Sequence, residues 1–380
     1  MAIKDVIVDW YLRNIIVPKY VNYEIPGFVI KEQQSKYGHT FQRDVFLSEN
    51  LIEDLENQFI KKYGENGKKF LYGVGKNFGW NYGKSFNAPN IQNNKNEEVI
   101  KTATFLSQFI GATWAEKTNI VKLEVDSKFF QIESKDYVVC SNNGLGQLLN
   151  EGGITGLWAW LMADYSIEGI QINCQGRGDL KCSTVCAPIS YFNKNNIKLN
   201  IFREKIETDF TSKLYLEFNR VRTLTYSSAN LKNMISNNLV NYSEGKIEYK
   251  GERYFPLEIN FLFLLEKQVI MLSGGNNLLF DIAFENGKRV ALKEKNLNIS
   301  FMCDFMAIMG WGDLLITPNL NKIGINYYPW SDLFDECGKE IFLGILSGFI
   351  SVYKNKQIKL RIINSDNSNG YITLILGIKN

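Results

Sequence analysis

Two hydrophobic periods divide the chain. Leu51, Leu55 and Phe59 recur at helical spacing behind Ser48, a predicted N-cap, and Lys62 and Gly64 suit that helix's C-terminal end. Val99, Ala103, Leu106, Ile110 and Trp114 form a second helical stripe. A short amphipathic helix is predicted at Val6–Ile16, with Pro18 and Pro26 marking the exit to extended structure. Val121–Val125, Phe129–Glu133 and Tyr137–Cys140 alternate as strands do. Phe70–Phe86 is punctuated by glycine and fits either a helix or an extended piece, and Asn87–Glu98 reads as a polar loop. Ile154–Tyr165 carries apolar residues on more than one side, which predicts a helix covered on several faces. A hairpin follows, with strands at Gly169–Gln175 and Leu180–Val185 around the turn Gly176–Asp179.

The pattern then repeats. LENQFIKKYG (Leu55–Gly64) aligns with LEKQVIMLSG (Leu265–Gly274), identical at five of ten positions. Three further blocks follow in the same order: Phe70–Gly79 with Leu278–Gly287, Thr104–Trp114 with Ser300–Gly310, and Gly156–Ile172 with Gly344–Leu360. This order predicts one fold used twice, at 1–188 and 225–380, joined by a connector at 189–224. In the second half the first short helix falls at Asn230–Val240, and the next starts after Pro256, a first-turn residue. The connector carries Arg203, Glu204, Lys205 and Glu207 and reads as a docking arm.

Composition narrows the class. With 380 residues, 45% hydrophobic and 22% charged, the chain fits folded domains rather than disorder. A net charge of +3 with dispersed Lys and Arg gives no footprint for nucleic acid or an anionic membrane. No uncharged apolar run is long enough to span a bilayer, and Asp5, Asp9 and Arg13 interrupt the N-terminal apolar stretch. The expected setting is the reducing cytoplasm, where six sparse cysteines read as metal or redox sites before disulfides. One histidine, His39, leaves no partner for a histidine-based site, and no P-loop, GxSxG or dinucleotide fingerprint is present. The paired acids Glu53/Glu56 and Asp332/Asp335 read as solvated faces, and Gly176–Asp179 as a tight turn.

The candidate chemistry is the C-x7-C-x3-C run of Cys174, Cys182 and Cys186. Cys174 and Cys182 flank the hairpin turn, Cys186 shares a strand face with Cys182, and Cys140 ends another predicted strand. Four thiolates, or three with one further donor, satisfy tetrahedral Zn²⁺; an iron–sulfur cluster uses the same donors but comes with tighter motifs. Aligning Gly156 with Gly344 puts Ile362, Gly370 and Leu374 opposite the three cysteines, so the fold itself does not demand thiols. The alternative is that they are small buried hydrophobes, and Cys303 and Cys337 are expected to be core or surface thiols. Phe105, Phe109, Trp114, Trp158 and Trp160 are candidates to line an apolar pocket, with plain core packing the competing role.

Gly152–Cys186, together with RDVFLSENLIEDLENQFIKKYG and FLYGVGKNFG, resembles the 4-vinyl reductase domain family. The shared features are an apolar helix, a strand bearing Cys174, the Gly178–Asp179 turn, and Cys182 eight residues after Cys174. The likeness covers roughly 40–188, with 250–378 a degenerate copy. It implies an α/β (α+β) fold, each domain a curved antiparallel sheet under helices around an apolar pocket, with the two domains arranged as a pseudo-dimer. Relatives include aromatic-hydrocarbon sensing modules, a bacteriochlorophyll-pathway protein and core subunits of the TRAPP trafficking complex. In the sensors zinc is held by the hairpin cysteines, an acidic residue and a further cysteine. Cys174 and Cys182 match; the acidic position is Gln171 here, so either Cys140 or Cys186 replaces the missing ligands or the site is metal-free. The reading is therefore non-catalytic binding of a small apolar molecule (aromatic, lipid or tetrapyrrole-like) beside a zinc site. The alternatives are a TRAPP-like scaffold that assembles with a protein partner or with itself, and a reductase or accessory protein of tetrapyrrole metabolism.

Overall fold

Glycine sets how the central helices pack. In the computed structural model, helices α2 (Glu65–Ser85) and α4 (Leu148–Leu161) cross backbone to backbone. A Cβ on Gly79 would lie 1.9 Å from the Gly153 carbonyl oxygen, and one on Gly156 the same distance from that of Lys76. Gly79→Ala and Gly156→Ala are each expected to destabilise by about 1–3 kcal/mol in thermal melts, since backbone cannot yield cheaply. Gly153 is the internal control: its Cβ would meet only the Gly75 carbonyl oxygen at 3.9 Å. Gly153→Ala is expected to stabilise by up to about 1 kcal/mol through helix propensity.

The structure describes residues 21–35, 38–138, 140, 147–208, 226–243, 246–330, 339–368 and 371–378. The predicted helix Val6–Ile16 and the thiol of Cys337 lie outside them. β1 (Val21–Ile25), β2 (Phe28–Ser35) and β3 (Gly38–Ser48) lead into α1 (Glu49–Tyr63), α2 and α3 (Asn96–Trp114). β4 (Lys117–Glu124) and β5 (Phe129–Lys135) follow, then α4, β6 (Glu168–Asn173), β7 (Cys182–Ala187) and α5 (Ile189–Lys194). The second half begins with α6 (Leu231–Ser236), β8 (Asn241–Ser243), β9 (Lys246–Tyr249) and β10 (Glu252–Glu258). Next come α7 (Ile259–Val269), α8 (Gly275–Leu292), α9 (Ile299–Ile308), β11 (Asp313–Ile316) and β12 (Lys322–Asn326). It closes with α10 (Glu340–Tyr353), β13 (Leu360–Ser368) and β14 (Tyr371–Ile378).

This is a mixed α/β fold with three antiparallel sheets. One half builds a sheet in the order β4-β5-β7-β6, the other in the order β11-β12-β14-β13. A third sheet, β1-β2-β3-β10-β9-β8, runs through both halves, with Ser48 opposite Tyr254 and Asp44 opposite Glu258. Phe78 of α2 meets Phe261 of α7 edge-on at 5.5 Å, so the apolar core is continuous across the join. Arg253 adds ion pairs to Glu49 (2.6 Å) and Asp136 (2.9 Å). No helix among the described residues is long and apolar enough to cross a membrane.

Local expectations met specific limits. Ser48 does cap α1, accepting the Leu51 N–H at 3.2 Å. Phe70–Phe86 belongs to a single helix, because its glycines serve the contact with α4. Tyr137, Val138 and Cys140 lie in a turn rather than a strand: Asp136 takes φ +49°, and the Val138 N–H goes to the Trp114 carbonyl at 2.7 Å. Pro256 lies inside β10 rather than in a helix's first turn; β9 pairs only as far as Tyr254, so no neighbour needs the missing N–H. The helix predicted at Asn230–Val240 ends at Ser236. The apolar helix starts at Leu148 rather than Ile154 and stops at Leu161.

Glycine contacts also correct the alignment of the halves. Gly152 would strike the Tyr72 carbonyl and the Lys76 nitrogen, and Gly344 strikes the Phe280 carbonyl and the Phe284 nitrogen. Gly344 therefore corresponds to Gly152, one turn before Gly156. The strand positions facing the first-half cysteines also change. Ser134 and Ile325 are equivalent on β5 and β12, which sets Ile372 against Cys182. The second half still carries no thiol there.

Candidate metal centre and adjoining cavity

Three cysteines from separate elements converge. β7 pairs with β5, placing Cys182 opposite Ser134, and with β6, where an irregularity falls between Gln171 and Asn173. The ladder resumes with Asn173 opposite Ser183 and ends there, which leaves Cys174 at the turn. There its N–H donates to Asp179 Oδ2 at 2.7 Å, its carbonyl accepts from Arg177 and Asp179, and Gly178 takes φ +94°. Cys140 arrives from the turn after β5. Its Sγ lies 2.7 Å from that of Cys182 and 3.4 Å from that of Cys174. All three sulfurs lie within 4.8 Å of one another and are buried.

The trio shares protons. Hydrogen bonds with Cys174 and then Cys182, together with burial, push the Cys140 thiol up. Hydrogen bonds from Cys140 and then Cys182 pull the Cys174 thiol down, helped by the Arg177 charge. One sulfur thus ionises readily while its neighbours hold their protons, a donor set that a cation would complete by displacing them.

Cys186 stands apart. It shares a strand face with Cys182, but four residues at about 3.3 Å each carry it roughly 13 Å along the strand. It pairs with Phe130 and Gly169, its Sγ sits 3.6 Å from Thr155 Oγ1, and burial pushes its thiol up to about 12. This corrects the expected four-cysteine set to three. Cys303 is a buried core thiol, raised to about 11 by burial.

Amides frame the trio. Gln171 donates through Nε2 to Cys140 Sγ at 3.1 Å, and its Oε1 accepts the Gln147 N–H at 3.0 Å. Gln147 Nε2 in turn donates to the Val138 carbonyl at 2.6 Å. Glu151 Oε2 accepts the Gln171 N–H at 2.8 Å. Burial pushes the Glu151 carboxyl up to about 7. Between about pH 4 and 7 the unfolded chain sheds a proton that the folded chain retains, so this group makes stability fall as pH rises, by up to about 3 kcal/mol. Glu151→Gln is expected to flatten that fall by about 2 kcal/mol between pH 5 and pH 8, read from urea unfolding at the two pH values.

An apolar cavity of about 90 Å³ abuts the trio. Phe78, Tyr82, Trp114 and Leu157 line it from the first half, Phe255 and Phe261 from the second. Tyr137, Val138 and Gln147 form the wall toward the cysteines. The Tyr137 side chain is 5% exposed, and its hydroxyl has no hydrogen-bond partner among the described residues. A smaller void of about 30 Å³ shares Tyr137, Ile154 and Leu157 with the first.

Of the aromatics singled out from sequence, Trp114 lines the larger space and Trp158 the smaller. Phe105 stacks on Phe109 at 5.9 Å, and Trp160 donates to the Ala88 carbonyl at 2.9 Å and packs on Trp80. Those three are packing residues. Phe255 and Phe261 were missed because only the pairing of β3 with β10 brings them to the first half. Phe78 and Tyr82 do show helical spacing, but in a stretch whose glycines masked it.

No family model matches the chain, and no curated protein matches it. Among solved structures, the crystal structure of the phenol-responsive sensory domain of the transcription activator PoxR with phenol is similar over 43% of this chain and 88% of its own, at 13% identity and a TM-score of 0.33.

Proposed function

We propose that the chain is a tandem of two 4-vinyl-reductase-type domains, 1–188 and 225–380, that binds a small apolar molecule in the cavity between its halves, beside a zinc ion held by Cys140, Cys174 and Cys182. The equal strand order of the two outer sheets supports the tandem. The observation that carries the binding reading is the shared wall: Tyr137 and Val138 belong both to the cavity and to the turn that delivers Cys140, and Gln147, also in the wall, donates to the Val138 carbonyl. Zinc there would cross-link the turn to the hairpin and hold one face of the cavity in place. Three thiolates leave one of its four positions to a donor outside the trio.

Size selects the ligand. The larger void, about 90 Å³, is smaller than the roughly 150 Å³ that takes benzene in an engineered cavity. That favours a single-ring molecule over a tetrapyrrole or an acyl chain. Tyr137, Gln147 and Asn150 bring polar side chains to a mostly apolar lining, so a ring bearing one hydroxyl or carbonyl fits best. In calorimetry, such a ring is expected to bind with a negative heat-capacity change, and Leu157→Trp, which fills the cavity, is expected to weaken it at least tenfold. Equal binding to the filled variant would remove the cavity as the site.

A further inference from the structure

The connector is not a tether where it is described; it is read by α2. Lys76 Nζ donates to the Phe202 carbonyl at 3.1 Å. Asn77 Nδ2 donates to the Glu204 carbonyl at 3.2 Å, and Asn77 Oδ1 accepts the Ile206 N–H at 2.9 Å. Asn81 Nδ2 donates to the Ile206 carbonyl at 2.7 Å, and Asn81 Oδ1 accepts the Thr208 N–H at 2.8 Å. Every rung lands on alternate residues, 202, 204, 206 and 208. The match is geometric. Four helical residues rise about 6 Å, and two extended residues span about 6.6 Å, so asparagines spaced i, i+4 keep step with an extended chain.

These contacts are to main chain, so they ask little of the sequence they hold. Side chains add to this: Phe202 lies over Gly73, Ile206 packs against the core, Thr208 Oγ1 bonds to Asn81 Oδ1 at 3.2 Å and Asn260 Oδ1 at 3.1 Å, Glu207 pairs with Lys84 at 3.0 Å, and Lys205 sits 4.8 Å from the Trp80 ring centre. Arg203, Glu204, Lys205 and Glu207 remain exposed. By contrast Lys76, Asn77 and Asn81 are at most 1% exposed. The fold does not require the ladder. At the corresponding positions of α8 the residues are Phe284, Glu285 and Arg289, with Asp281 in place of Gly73.

We infer that this face of α2 is a main-chain-reading peptide groove, that residues 202–208 are its in-chain occupant, and that an extended segment of a partner protein takes it by displacing them. The fitting segment has an apolar residue at the Gly73 end and an acidic residue at the Lys84 end. It has no proline at the two rungs where an N–H is read. Access is then conditional on the strap letting go.

The test uses the full chain and a fluorescein-labelled peptide of residues 200–209. Ile206→Pro removes one read N–H from the strap, and a second variant replaces 202–208 by Gly and Ser at equal length. Both are expected to keep the parent's circular dichroism and to bind the peptide at least tenfold more tightly than the parent does. Adding Asn81→Ala, or methylating the peptide nitrogen at 206, is expected to remove that gain, while alanine at positions 203–205 of the peptide changes binding less than threefold. The inference is overturned if neither folded variant binds the peptide or if Asn81→Ala leaves binding unchanged. It is equally overturned if both strap variants fail to fold, which would make the strap part of the core.

Discussion

Lys76→Met is expected to lower the unfolding free energy by about 3–5 kcal/mol, because it strands a buried carboxylate. Lys76 and Glu168 pair at 2.8 Å with side chains 0% and 1% exposed. Glu168 also accepts the Tyr72 hydroxyl at 2.6 Å, and Lys76 lies 4.6 Å from the Tyr165 ring centre. Burial pulls the ammonium down and pushes the carboxyl up, so desolvation opposes the pairing on both sides. Without the lysine, Glu168 would fold most readily in its protonated form. Its raised pKa then means that stability is present at low pH and lost as pH rises through that value. The deficit of the variant is therefore expected to be smaller at pH 5 than at pH 8. Adding Glu168→Gln is expected to recover much of the loss, since no bare charge remains. Chemical denaturation of the single and double variants measures this, and additive losses would show that the pair is not coupled.

Serine at Cys140, Cys174 or Cys182 is expected to weaken zinc binding by at least about a hundredfold, beyond the 10–100-fold typical of an outer-shell change. Cys186→Ser is expected to leave zinc binding intact, because that thiol faces Thr155. Zinc competes with protons for the thiols, so retention is expected to fall as pH is lowered. Competition with a chromophoric chelator reads all four variants and the pH series. Equal losses at Cys186 and Cys182 would contradict the three-sulfur assignment.

How far the sequence spoke for itself depended on the range of the contact. The stripe Leu51, Leu55, Phe59 and the Ser48 cap are local, and they held. The hairpin cysteines were visible because the turn between Cys174 and Cys182 is short. The exclusion of Cys186 was not, since a period-two pattern reports the face of a strand and not the distance along it. Tyr137–Cys140 alternates like a strand, yet the backbone at Asp136 and the bond from Val138 to Trp114 turn it inward. That turn is what carries Cys140 to the hairpin. The cavity was the least legible part. Phe255 and Phe261 come from the other half of the chain, and no short-range pattern ties them to Phe78. The asparagine ladder was written in plain sight as Asn77 and Asn81, but its meaning needed the connector laid alongside.

Metal at the trio is what the proposed function requires. Elemental analysis and native mass spectrometry of freshly purified full-length chain are expected to show one zinc per chain, lost on acidification and regained on neutral titration with zinc. A chain that carries no metal, and takes up none when its reduced thiols are titrated with zinc, would contradict it.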